Sequence, residues 1–174
     1  MKKWTAVAFA LMVAVGVVTT PTSAVAQPAV GDPLAGVWVL RAANGSALVE
    51  RGGTIGLGSS ARATRWRFVP TGSGEGGAEY VIHTKDLRGW VLPRVAPSAP
   101  VKVQPLLALP TDTRNQRWRV YLDAGAAQAG VRQVTIASAV NGWPVVVTGD
   151  YLPHLAVVPE TFAPVTYRAI KVGN

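Results

Sequence analysis

The 174-residue chain contains no cysteine and only two histidines. No disulfide can staple it, no thiolate can serve as a nucleophile, and no zinc ribbon can form. Acidic side chains are few, nine against seventeen Lys and Arg, for a formal charge of +8. Charged residues are only 15% of the chain and apolar ones 49%, which excludes a charged disordered tail;. Helical patterning is missing too: after residue 34 no stretch keeps apolar residues at helical spacing over three turns;. What is plentiful is glycine and proline, 18 and 13 residues, which interrupt helices and favour short strands and turns;. The length suits one domain with a packed core.

The N-terminus reads as an address. Lys2 and Lys3 precede an apolar run from Trp4 to Val18, then a small polar stretch and Ala24-Val25-Ala26, the pattern of a cleaved signal peptide over 1–26;. The run is shorter than the ~18–20 residues that cross a bilayer, and an uncleaved membrane anchor is the alternative. Residues 27–34, with Pro28, Gly31 and Pro33, are expected to form an extended leader before a domain over 35–174. The expectation is a secreted protein that stays off the membrane after cleavage.

The body repeats itself at a period of roughly 50 residues. Val37 to Leu40 is followed by Asn44-Gly45-Ser46, Tyr80 to Ile82 by Arg88-Gly89-Trp90, and Val134 to Ile136 by Asn141-Gly142-Trp143. The units close on Arg65-Trp66-Arg67-Phe68, Arg117-Trp118-Arg119-Val120 and Thr166-Tyr167-Arg168-Ala169. A further short run lies between opener and closer at Thr54 to Leu57, Val101 to Pro105 and Leu155 to Val158;. Three four-strand units, over 35–70, 78–122 and 131–173, predict an all-β chain of twelve strands, a β-trefoil. A β-sandwich is the structural alternative.

Two family resemblances follow from these segments. Asn115-Gln116-Arg117-Trp118 resembles the Q-x-W closer of ricin-type lectin domains. That likeness implies an Asp after the opening hairpin of a sugar site, and none of the three turn segments supplies it. Tyr80-Val81-Ile82, Gly89-Trp90-Val91, Pro93, Val101, Val103, Pro105-Leu106, Pro110, Asn115 and Trp118 resemble the cospin and cnispin type of serine protease inhibitor. This second likeness implies a monomeric inhibitor that offers an exposed loop to an extracellular serine protease.

Such an inhibitor needs a loop already close to its docked shape, since ordering costs then fall. A trypsin-like target would favour a basic residue there. The candidates are Arg51 in Glu50-Arg51-Gly52-Gly53, Arg94 in the proline-bracketed stretch to Pro100, and Arg114 between Pro110 and Asn115. Phe162, between Pro159 and Pro164, would suit a chymotrypsin-like pocket. A carbohydrate-binding module is the alternative, with Trp90 and Trp143 as stacking platforms and a glycan as partner.

Catalysis is not expected. His83 and His154 fall in different units without metal-ligand spacing, no G-x-S-x-G elbow occurs, and Thr71 to Gly77 reads as a flexible connection without a phosphate-loop lysine;. No cofactor or metal is expected. The sequence pI near 10.5 raises nucleic acid as a partner. Alternation along a strand answers it: if Trp66 and Trp118 point inward, their flanking arginines share an outer, solvated face.

Overall fold

In the computed structural model the β-branched and aromatic runs form, among the described residues, thirteen strands in one hydrogen-bonded network. The structure describes residues 32–74, 77–107, 113–123, 128–159 and 161–174. The signal-peptide segment 1–26 and most of the leader lie outside them. The strands are β1 (Val37–Arg41), β2 (Ala47–Arg51), β3 (Thr54–Gly58), β4 (Arg65–Gly74), β5 (Gly77–His83), β6 (Arg88–Val91) and β7 (Ala99–Pro100). They continue with β8 (Lys102–Pro105), β9 (Trp118–Leu122), β10 (Val131–Ser138), β11 (Val145–Thr148), β12 (His154–Val157) and β13 (Thr166–Gly173). Two short 3-10 turns, Ser60–Arg62 and Arg114–Gln116, precede β4 and β9.

The antiparallel pairings β1-β2-β3-β8-β6-β5-β9-β10-β13 return to β1 and close a barrel of 9 strands, with β4, β7, β11 and β12 outside that ring. Closure leaves these strands no free edge. β4 pairs β1 on one side and β5 on the other, so a shorter circuit β1-β4-β5-β9-β10-β13 also closes.

This architecture corrects the expected β-trefoil of twelve strands in three repeats. The all-β class stands, but the hairpins do not stay within their units: β3 pairs both β8 and β12, and β12 also pairs β7. Backbone groups left open inside one unit are satisfied by another. The extra strand β7 arises where Ala99 and Pro100 meet Val157 and Ala156. β4 has 10 residues because Thr71 to Gly74 of the supposed flexible connection are strand, with Gly72, Ser73 and Gly74 in register with Glu79, Ala78 and Gly77.

Alternation decides which side chains enter the core. Trp66 and Phe68 of β4 are buried while Arg65 and Arg67 before and between them are exposed. Trp118 and Val120 on β9, and Tyr167 and Ala169 on β13, repeat the pattern. Trp66 packs edge-on to Trp90 at 5.4 Å, and Trp90 to Trp118 at 5.8 Å, the geometry that aligns a positive ring edge with a negative face. Three buried polar ends donate to carbonyls, Trp38 Nε1 to Leu34 O (2.8 Å), Trp118 Nε1 to Trp90 O (3.0 Å) and Tyr167 OH to Val145 O (3.0 Å), while the indole nitrogens of Trp66 and Trp90 are buried without an acceptor. Leu34, the last residue of the expected leader, is itself a core residue. Asp32 is tied in as well, accepting from the Tyr80 hydroxyl at 3.0 Å.

Candidate functional site

The β11–β12 hairpin carries the most exposed pair of large apolar side chains among the described residues. Thr148 and His154 are register partners, so Gly149 to Pro153 form the connecting loop. At its tip Tyr151 is 99% exposed and Leu152 83% exposed. Neither position is forced by the turn, and apolar side chains left in water at adjacent positions mark a contact surface more readily than a folding need.

The base of this loop is held from three directions. Gly149 has φ +91°, a left-handed conformation that glycine adopts without steric cost;. A Cβ there would also stand 3.0 Å from Leu152 O. His154 Nδ1 lies 3.1 Å from the same carbonyl; a carbonyl only accepts, so Nδ1 carries the proton. Beneath, Gly56 of β3 is in register with His154, and a Cβ on Gly56 would come 2.9 Å from Pro153 O. Backbone therefore runs against backbone at the base, while the tip projects free.

The loop overhangs an open groove of about 910 Å³ lined by Arg51, Thr54, Lys102, Asp150, Tyr151 and His154, among others. Lys102 Nζ donates to Thr54 Oγ1 at 3.0 Å, tying the groove floor across β3 and β8. The groove thus pairs an exposed aromatic with cationic and anionic groups. It presents no cluster that could bind a metal: no group of three or more His, Asp or Glu converges among the described residues.

The residues singled out from the sequence are not brought together. Arg51 is exposed at the end of β2 and lines the groove, but its backbone pairs Thr54 across a two-residue turn. Gly52 (φ +56°) and Gly53 (φ +80°) give that turn the type I′ conformation;. Glu50 Oε1 accepts from Gly53 N at 2.8 Å and pins it. A protease cleft pairs with extended backbone, and here that edge is already used. Arg94 is exposed in the stretch after β6, and Arg114 is exposed in the 3-10 turn before β9. Phe162 is 58% exposed and lines a separate apolar hollow of about 370 Å³ with Tyr121 and Pro144. Trp90 is 0% exposed in the core, so it offers no stacking face, and Trp143 is half-buried against the same core.

The sequence reading missed Tyr151 and Leu152. The usable signal was Gly149-Asp150-Tyr151-Leu152-Pro153, two large apolar residues framed by Gly and Pro between β-branched runs, at the place in its unit that Glu50 to Gly53 holds in the first;.

No protein-family model matches the chain, and no curated protein matches it. Solved structures do. A salivary protein from Culex of the Cysteine and Tryptophan-Rich (CWRC) family aligns with TM-score 0.58 at 12% identity, over 79% of this chain and 94% of that one. An SDF2-like protein from Arabidopsis thaliana aligns with TM-score 0.54 at 12% identity, over 80% of this chain and 96% of that one. The lysenin pore aligns with TM-score 0.51 at 11% identity, over 79% of this chain but 46% of that one. At such identities the likeness is one of fold alone. These neighbours correct the resemblance to cospin- and cnispin-type inhibitors and to ricin-type lectins, since none is described as either. Among the described residues no helix is long and apolar enough to cross a membrane.

Proposed function

We propose that this chain is an exported binding protein that inhibits a serine protease by presenting the Gly149–Pro153 loop, with Tyr151 entering the specificity pocket. The observation that carries the reading is Tyr151, 99% exposed on a loop whose base is braced. A large side chain held out in water from a fixed backbone has little left to lose on docking. Tyr suits the hydrophobic slot of a chymotrypsin-like enzyme, whereas a trypsin-like pocket wants a cation. Leu152 adds apolar area on the next subsite, worth about 1.5–3 kcal/mol when fully buried. Export is supported by Lys2, Lys3, the apolar run and Ala24-Val25-Ala26;.

The test is titration of chymotrypsin, trypsin and subtilisin with the purified protein. Chymotrypsin is expected to lose activity stoichiometrically. Tyr151→Ala should weaken that inhibition at least about 30-fold, the scale of a hot-spot residue, and Tyr151→Arg should shift it toward trypsin. Full activity of all three enzymes at micromolar excess refutes the proposal.

A carbohydrate-binding reading keeps one observation in its favour. Tyr151 borders a groove that also offers Asp150, Lys102 and His154, a stacking face beside hydrogen-bonding groups. Retention on a neutral glycan surface, lost in Tyr151→Ala and without any protease inhibition, would select it.

A further inference from the structure

A second, unrelated feature lies on the outer face of β4, β1 and β13, three adjacent strands that contain no acidic residue. Alternation turns Arg65 and Arg67 of β4, Arg41 of β1 and Arg168 of β13 away from the buried Trp66, Leu40 and Tyr167;. Arg41 and Arg168 are direct cross-strand partners, a like-charge pairing that costs stability. Among the described residues none of these four guanidinium groups has a carboxylate partner. Arg41 Nε is buried without any hydrogen-bond acceptor, a donor that is expensive to leave unmet.

Arg41, Arg65 and Ser60 line a hollow of about 270 Å³ together with Val39, Ile170 and Val172. On their other side Arg65 and Arg67 border a second hollow together with Glu50, Lys85 and Asp86. Glu50 and Asp86 lie in that second hollow, whereas no carboxylate lines the hollow at Arg41.

We infer that the Arg41–Arg65–Ser60 hollow binds the acidic sugar of an anionic polysaccharide. A sugar acid presents a carboxylate or sulfate for the guanidinium forks and an apolar C–H face for Val39 and Ile170. A single-stranded nucleic acid would want aromatic stacking residues, and none lines the hollow. A lipid surface would want a broad protruding apolar face, and here Val39, Ile170 and Val172 share one hollow with the arginines. Arg168 extends the cationic run toward a neighbouring unit of the same polymer.

The probe is polygalacturonate, titrated calorimetrically into the full-length protein at low salt. Saturable binding, displaced by inorganic sulfate, is expected. Arg41→Gln should weaken it at least about tenfold, the loss of one charge-assisted hydrogen bond. Arg94→Gln, which removes the same charge from a distant loop, should change it less than about twofold. Should Arg41→Gln fail to fold by its thermal transition, Arg65→Gln, an exposed side chain, carries the same expectation. Equal loss in Arg94→Gln would reduce the effect to net charge and overturn the site. So would absence of polygalacturonate binding, or retention only on single-stranded oligonucleotides or anionic vesicles. Tyr151→Ala should leave this affinity unchanged, which separates it from the loop's role; loss there also overturns it.

Discussion

Replacing Tyr167 with phenylalanine tests the core and its electrostatics in one experiment. The Tyr167 side chain is fully buried and its hydroxyl donates to Val145 O at 3.0 Å. Phenylalanine keeps the ring and deletes the hydrogen bond, leaving a buried carbonyl short of a donor, for a cost of about 1–1.5 kcal/mol at neutral pH. Burial pushes the Tyr167 hydroxyl well above its ordinary pKa of 10.0. Below that ordinary value neither state ionises and the tyrosine's contribution is complete. As pH rises beyond it, the unfolded chain ionises while the folded one does not, so the contribution is progressively lost. The loss is RT ln(1 + 10^(pH−10)), about 1.4 kcal/mol by pH 11. The phenylalanine ring has no proton to lose, so the variant escapes this term. The deficit of Tyr167→Phe should therefore shrink above pH 10 and close near about pH 11, with Tyr80 and the lysines cancelling between the two proteins. Urea unfolding followed by tryptophan fluorescence at several pH values between neutral and about pH 11.5 reads it directly. A deficit that stays constant or widens through that range refutes the reasoning.

Two further predictions concern packing. Gly56→Ala should displace the Gly149–Pro153 loop, because its Cβ would stand 2.9 Å from Pro153 O; a cost of about 1–3 kcal/mol and weaker chymotrypsin inhibition are expected, and unchanged values for both would sink the braced-loop account. Trp118→Phe removes the indole bond to Trp90 O and part of the edge contact at 5.8 Å. It should cost about 3 kcal/mol, roughly a 10 °C fall in Tm, checked by calorimetry; a shift under about 2 °C would show that the site relaxes around the smaller ring.

Tyr151 and Phe162 show where reading from sequence runs short. Both are large, aromatic and placed near Gly or Pro, and nothing local distinguishes them. Tyr151 stands almost wholly in water while Phe162 leans into a hollow with Tyr121 and Pro144. Arg51 shows a related limit. Its two glycines announced a tight turn, yet whether its backbone was free for a partner depended on pairing with Thr54. Trp90 offered the same letter as a surface platform and a core residue, and packing against Trp66 and Trp118 decided it.

What the sequence determined by itself was the all-β class, the places of most strands and their inward faces. Those follow from short-range physics: β-branched runs, turn residues, and alternation that puts Trp66, Trp118 and Tyr167 inside with arginines beside them;. What only the tertiary structure decided was how the hairpins join. The β3–β8, β3–β12 and β7–β12 pairings, and with them the closed barrel and the groove under Tyr151, depend on which unsatisfied backbone edges meet. Edges carry no side-chain signature, because every strand presents the same N–H and C=O groups. Their partners are chosen by how the whole core packs.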